Sequence, residues 1–347
     1  ANEIMVFIKT AISIDSFMKP DFICHCTHGK IPSSPMYYDI ETTGLSAEAS
    51  YVYLIGAVQS EHEIYYLNQW FASSPEEEPD ILSAFLSFIQ EHRVDCTIQY
   101  NGDRFDQPFL TKRYQQYGMD SPLDPLPSVD LYKVFRKLKG LLKLSSMKQP
   151  EVEQLLCEDG KRNSHRTAQD GKEGIRIYRR FLKTKDASLI QELLLHNQED
   201  LYGLLRILSL QRILFLYHNA YNIQNCEYAD ESLLITLLLP SPLPFCFSNG
   251  KNGFYITGRD DTVRIRIPVY QNKIRIYYQN YKDYDYIPSE DYAIPKSISC
   301  FMEKSLRIPA KASTCYSYIP CDEAFLRDKH RQTQLLSYSL PYYLSIL

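Results

Sequence analysis

Residues 37–45 read Tyr-Tyr-Asp-Ile-Glu-Thr-Thr-Gly-Leu, and the Asp39–Glu41 pair within them decides how the chain is read. Tyr37, Tyr38 and Ile40 favour a β-strand, which puts the two acids at a strand end. Side chains alternate between the faces of a strand, so Asp39 and Glu41 converge on one face while Ile40 enters the core on the other. Like charges held together are unfavourable unless a cation or solvent lies between them. Hard divalent ions such as Mg²⁺ favour carboxylate oxygens and supply that compensation. Taken alone, the pair fits equally well a solvated strand end ahead of a turn at Gly44.

Two later segments shift the balance. Residues 100–110 read Tyr-Asn-Gly-Asp-Arg-Phe-Asp-Gln-Pro-Phe-Leu, and residues 195–201 read Leu-His-Asn-Gln-Glu-Asp-Leu. His196 and Asp200 fall four apart in a Leu/Ile-rich stretch, about 187–217, whose periodicity predicts a helix. That spacing sets both side chains on one helix face. A histidine titrates near neutrality and can take a proton from an attacking water, although an isolated one also fits a hydrogen-bonded surface residue. Glu192 and Glu199 read more simply as solvated helix positions, and Asp103 as an exposed loop acid beside Asp106.

Together the three segments resemble the exonuclease motifs of the DEDD superfamily of 3′–5′ exonucleases, with phrasing closest to the YprB-type RNase H-like proteins of bacteria. The resemblance spans roughly residues 36–215. It implies an RNase H-like fold and assigns Asp39 and Glu41 to the first motif, Asp106 to the second and Asp200 to the third. His196 matches the general-base position. Histidine-type members usually place that His five residues before the Asp. Here the gap is four, the spacing of the tyrosine-type branch. The resemblance further implies that Thr42, Thr43 and Gly44 approach a terminal nucleotide, that Leu45 wedges against its base, and that Asn101 belongs to the substrate site.

Phosphodiester hydrolysis needs an activated water and stabilisation of charge on the leaving oxygen, which two metal ions roughly 4 Å apart supply. Two Mg²⁺ or Mn²⁺ ions are therefore expected, with Asp39 bridging them and Glu41, Asp106 and Asp200 completing their shells. The expected partner is DNA or RNA.

The chain has 347 residues and a net charge of −4, which argues against indiscriminate nucleic-acid binding. Its charge is unevenly spread: residues 133–185 hold 15 Lys/Arg against 6 Asp/Glu. Lys137 and Lys139 in this stretch are candidate phosphate contacts, with solvated helix faces as the plainer alternative. No run of about 20 apolar residues is present to span a bilayer, and the opening segment lacks a signal-peptide pattern. Nine irregularly spaced cysteines suit a reducing, cytoplasmic setting. Cys24-His25-Cys26-Thr27-His28 lacks the spacing and second knuckle of a zinc site.

The expected fold class is α/β: an RNase H-like mixed sheet flanked by helices, followed by a smaller β-rich C-terminal module. Strands are predicted near 36–40, 51–58, 63–70 and 97–100, and a helix over 76–92 after Ser74-Pro75. Thr262 to Ile267 and Lys273 to Tyr278 alternate across Gln271-Asn272, a hairpin signal. The expected division is an N-terminal extension (1–35), an exonuclease domain (36–220) and the β-rich module (221–347). Two other functions remain open on the sequence: an RNase H-like nucleic-acid-binding or scaffold protein with little turnover, and a transposase- or resolvase-like endonuclease.

Overall fold

The computed structural model describes residues 5–12, 32–62, 64–156 and 171–347. The Cys24–His28 cluster lies outside them. The chain forms two compact units, one of residues 1–136 and 147–209, the other of 137–146 and 210–347.

The first unit is built on a six-stranded mixed sheet of order β1-β4-β3-β2-β5-β6. Its strands are β1 (Val6–Ile12), β2 (Pro35–Thr42), β3 (Val52–Glu61), β4 (Ile64–Phe71), β5 (Cys96–Gln99) and β6 (Ser128–Asp130). β1 to β4 are joined by antiparallel ladders, while β5 and β6 continue the sheet from β2 in parallel. β3 lies inside the sheet with both faces covered, which is why Val52 to Val58 reads as an unbroken buried run rather than an alternation. β1 was not foreseen: its burial is partial and its sequence, Val-Phe-Ile-Lys-Thr-Ala-Ile, mixes polar and apolar residues as suits a sheet edge.

Among the described residues, six α-helices accompany this sheet: α1 (Glu78–Glu91), α2 (Asp106–Gln116), α3 (Leu131–Phe135), α4 (Gln149–Gln154), α5 (Gly171–Thr184) and α6 (Ala187–Ile207). Met36, Tyr38 and Ile40 of β2 pack with α1 and α2 in one core. Tyr53 and Phe71 pack with Tyr178 and Phe181 of α5 and Leu193 of α6 in another. β2 therefore sends its even-numbered side chains towards α1 and α2, leaving Asp39 and Glu41 on the α6 side. Buried Glu78 of α1 accepts from the Val52 amide (2.8 Å) and from Nε of Arg113 on α2 (2.8 Å), tying both helices to β3. The helix expected over 187–217 divides: α6 ends at Ile207, and Leu208–Leu216 continues as a 3₁₀ segment.

The second unit carries a seven-stranded sheet formed by β7 (Asn222–Ala229), β8 (Ser232–Leu238), β9 (Phe247–Lys251), β10 (Phe254–Arg259), β11 (Thr262–Tyr270), β12 (Lys273–Tyr277) and β16 (Tyr316–Pro320). The hairpin read around Gln271-Asn272 forms, with Tyr270 opposite Lys273. Both turn residues have positive φ, 49° and 60°, as a two-residue hairpin of this kind requires. β13 (Tyr284–Ile287), β14 (Tyr292–Pro295) and β15 (Ile308–Pro309) make a small third sheet; short helices α7 (Lys296–Ser299) and α8 (Glu323–Arg327) precede the long α9 (Lys329–Ile346). α9 closes the core through stacked rings, Tyr277 on Tyr342 at 3.8 Å and Phe254 on Tyr343 at 4.6 Å.

Gly56, paired with Asp39 across β2 and β3, lies in close contact with α6. A Cβ there would collide with Asn197 Oδ1 and stand 2.7 Å from Leu201 Cδ1. Gly56→Ala is expected to push α6 off the sheet and cost roughly 1–3 kcal/mol in chemical denaturation. An unchanged midpoint would show that the close approach is not a constraint.

Candidate active site

Asp39 and Glu41 lie at the C-terminal end of β2, on one face, with a register irregularity between Glu41 and Thr42 where the ladder to β3 loosens. Both acids face α6. Asn197 Nδ2 donates to Asp39 Oδ2 at 3.0 Å, and Tyr53 Oη donates to Glu41 Oε2 at 3.4 Å. His196 and Asp200, one turn apart on α6, meet Glu41: His196 Nε2 is 3.6 Å from Glu41 Oε1 and 3.7 Å from Asp200 Oδ2. One ligand atom from each of Glu41, His196 and Asp200 lies within 4.8 Å of the others. Those two imidazole separations exceed an ordinary hydrogen bond, leaving the groups gathered but not locked.

Asp106 begins α2, directly after the loop that turns out of β5. Its Oδ1 accepts from the Ile40 amide at 3.4 Å, which ties the second motif to the backbone between the two first-motif acids. Asp103 has a different place. It accepts from Gln99 Nε2 (2.7 Å), Ser128 Oγ (2.6 Å) and Lys133 Nζ (2.5 Å), so it fastens the loop to β5 and α3. Lys133, from the basic stretch, is thereby engaged with an internal acid. Asn101 adopts a left-handed φ of 61°, a conformation asparagine tolerates. Its amide donates to Asp130 Oδ1 at 2.8 Å.

The turn after β2 is held by Thr42 Oγ1 donating to the Gly44 carbonyl (2.8 Å) and by the Tyr51 amide donating to Thr43 Oγ1 (3.1 Å). Leu45 at its tip is 87% exposed, an apolar side chain held in solvent beside the acids. Lys137 and Lys139 are exposed and belong to the second unit; Lys137 Nζ sits 4.8 Å from the centroid of the Tyr217 ring.

The electrostatics follow from this packing. Burial raises the Asp39 carboxyl well above its ordinary range, and the charges of Asp106, Asp200 and Glu41 push the same way against the Asn197 hydrogen bond. Glu41 is raised to about 7, chiefly by burial, with His196 opposing the shift and Asp200 adding to it. Asp106 is also raised to about 7 by burial, against the hydrogen bond from Ile40. Burial and neighbouring charge thus favour the protonated form of these three carboxyls. An oxygen-rich donor set with one imidazole fits a divalent cation.

Four contributors to this geometry escaped the sequence reading: Gly56, Gln69, Asn197 and Gly174. Gln69 Nε2 donates to the Leu194 carbonyl (2.8 Å) and to Asn197 Oδ1 (3.0 Å), orienting the Asn197 amide towards Asp39. Gly174 on α5 leaves room for the Tyr53–Glu41 pair; a Cβ there would stand 3.1 Å from Tyr53 Oη and 3.6 Å from Glu41 Oε2. Asn197 lies inside the third motif, next to His196, and its neighbourhood was the one available signal. The others sit far from any motif.

The family model for the RNase_H superfamily matches residues 36–211, half of the chain, and the chain belongs to that superfamily. Its fold is the RNase H-like mixed sheet flanked by helices, with β-rich sheets following in the sequence. Uncharacterized protein YprB of Bacillus subtilis (strain 168) is 25% identical over 173 residues, which are 49% of this chain and 40% of that protein. A DNA polymerase of Pyrococcus glycovorans is 44% identical over 46 residues, 13% of this chain and 6% of that one. The structure of the family B DNA polymerase from Pyrobaculum calidifontis aligns with a TM-score of 0.43 at 12% identity, covering 89% of this chain and 46% of the other. The chain spans less than half the length of each of these relatives. Among the described residues, no helix is long and apolar enough to cross a membrane.

Two outcomes test this geometry. Glu41 and Asp106 have folded pKa values near 7 against about 4 in an unfolded chain. The folded state therefore binds more protons between these values, and metal-free stability falls as pH rises through that window. Melting without metal should be lower at about pH 8 than at about pH 5, and Mn²⁺ should stabilise more at the higher pH; a flat profile would mean the carboxyls are not desolvated. Asn197→Ala removes a buried brace and should cost roughly 1–3 kcal/mol, read by urea denaturation.

Proposed function

We propose that this chain is a metal-dependent nuclease, and specifically a two-metal-ion 3′–5′ exonuclease acting on DNA or RNA. The observation that carries this reading is the convergence of Asp39, Glu41, Asp106 and Asp200 with His196 at one end of β2, where burial raises the carboxyls of Asp39, Glu41 and Asp106. Membership of the RNase_H superfamily supports nuclease chemistry in general. The order of the three motifs supports the exonuclease in particular.

Asp39, Glu41, Asp106 and Asp200 would hold two Mg²⁺ or Mn²⁺ ions. When bound, such ions lower the pKa of water and offset charge on the leaving oxygen. The protein's own groups do the rest. His196 takes the proton of the attacking water at Nε2 as the new P–O bond forms and the bond to the 3′ oxygen breaks. Glu41 and Asp200, 3.6 and 3.7 Å from that nitrogen, stabilise the resulting imidazolium. Asn197 keeps Asp39 aimed, and Tyr53 does the same for Glu41.

The turn residues Thr42, Thr43 and Gly44 would meet the terminal nucleotide, with exposed Leu45 stacking against its base and Asn101 bordering the same site. α5 offers a route for the rest of the strand: Gly174 faces Glu41, while Lys172, Arg176, Arg179, Arg180 and Lys183 lie on its exposed side. Lys137 and Lys139, exposed on the second unit, are separate candidates for phosphate contact. The four-residue His196–Asp200 gap favours one other reading, a nucleic-acid-binding protein with little turnover.

Digestion of 5′-labelled single-stranded DNA and RNA in Mn²⁺ separates these readings. Wild type should give a shortening ladder, and Asp39→Asn or Asp200→Asn should abolish it while leaving the fold intact. His196→Ala should slow turnover roughly 100-fold or more with little change in substrate binding. Wild-type rates in Asp39→Asn would sink the assignment. Binding without cleavage by every variant would establish the low-turnover alternative, and cutting of circular substrate would establish an endonuclease.

A further inference from the structure

The second unit presents one face of its large sheet to a core and the other to solvent. On the inner side, Ile235, Ile265 and Ile256 stand opposite one another across β8, β11 and β10, and all are buried. The outer side is set by the same register. One row across the strands reads Gly250, Tyr255, Arg266, Leu234, Glu227, and the next reads Ser248, Thr257, Arg264, Thr236, Asn225. Directly opposed residues share a face of an antiparallel sheet, so Tyr255, Arg264 and Arg266 stand together on it.

We infer that this outer face binds single-stranded nucleic acid, with Tyr255 and Tyr270 stacking on bases and Arg264 and Arg266 engaging phosphates. Tyr255 is 46% exposed, and its ring lies across Gly250, where any Cβ would collide with it. The glycine thus gives the ring a backbone platform and leaves its other side open to a base. Tyr270, four residues along β11 from Arg266, is 39% exposed; the Arg275 guanidinium carbon lies 4.3 Å from its ring centroid. Arg275 is itself held by Asp291 at 3.1 Å, so it supports the ring rather than reaching outwards.

The two central arginines are placed differently. Both are exposed, and among the described residues neither has an ion pair. Arg266 Nε donates to Ser232 Oγ at 2.9 Å, which steadies it without neutralising it; the Arg264 side chain makes no hydrogen bond among the described residues. Acids near this face stand mostly in the turns at its ends, Asp230 and Glu231 on one side and Asp260 and Asp261 on the other. Glu227, on the edge strand β7, is the acid in the Tyr255–Arg266 row. Two uncompensated guanidinium groups at the centre of a sheet complement a polyanion. Exposed rings beside them select unpaired bases, because stacking needs a base face that a duplex conceals.

This binding does not depend on the nuclease reading, so the two can fail separately. The experiment is fluorescence anisotropy of the full chain in EDTA, with labelled dT and rU oligonucleotides of roughly 15–20 residues, long enough for one site. Arg264→Glu with Arg266→Glu should weaken binding about ten-fold or more and flatten its salt dependence. Tyr255→Ala should weaken it about five-fold. Glu227→Lys, which removes the acid from the row, should tighten binding and steepen the salt slope, a gain that misfolding could not produce. Similar changes for dT and rU would assign recognition to phosphate and base; changes with one alone would assign the site to that sugar. The proposal is overturned if the affinity of neither oligonucleotide responds to the arginine pair and Glu227→Lys, or if Tyr255→Ala leaves binding unchanged, which would reduce the face to a nonspecific polyanion contact. A loss of cleavage in Asp39→Asn with these binding changes intact would leave both readings standing; binding changes without any cleavage by wild type would leave this one alone.

Discussion

Repulsion among carboxylates brought together at the end of β2 is the constraint around which the first unit is organised. Asp39, Glu41 and Asp106 are desolvated and face one another's charge, and all three carboxyls are raised. A fold tolerates that arrangement only if packing elsewhere holds the elements in place, because the site itself pushes them apart when ionised. The two cores on either side of β2 supply that hold. Tyr38 and Ile40 anchor the strand against α1 and α2, and Tyr53 and Phe71 anchor the sheet against α5 and α6.

Close approach does the positioning. α6 brings His196 and Asp200 to Glu41 because Gly56 gives Asn197 and Leu201 room to descend onto the sheet. Asn197 in turn bonds Asp39 while Gln69 fixes its amide. Gly174 plays the corresponding part for α5 and the Tyr53–Glu41 pair. Two glycines and an asparagine thus shape the site as much as the acids that would do its chemistry. The second unit applies glycine to another end: Gly250 makes a platform for an aromatic ring on an exposed sheet.

Some of this was legible in the chain. Alternation through Tyr38-Asp39-Ile40-Glu41 gave the shared face of the two acids, since strand periodicity is local. The four-residue spacing of His196 and Asp200 gave their common helix face for the same reason, and the alternation about Gln271-Asn272 gave the hairpin of the second unit. β1 was not legible, because an edge strand needs only one partner and carries weak patterning. The end of α6 at Ile207 was missed because Leu and Ile continue into the 3₁₀ segment without a break in apolar character. Among the tyrosines, sequence could not sort buried Tyr277 and Tyr343 from exposed Tyr255 and Tyr270.

The sequence by itself determined the local geometry: which acids share a face, which residues share a helix turn, and the α/β class that follows from the succession of strands and helices. Tertiary structure alone decided how the two nearby acids of the second motif are held. Asp103 turned to Gln99, Ser128 and Lys133, and Asp106 to the Ile40 amide. It also decided that Gly56, Gln69 and Gly174 belong to the site. Periodicity is a property of neighbouring residues. Charge proximity and steric room depend on segments more than a hundred residues apart, such as Gln69 and Asn197, and arise only when the sheet and its helices close on one another.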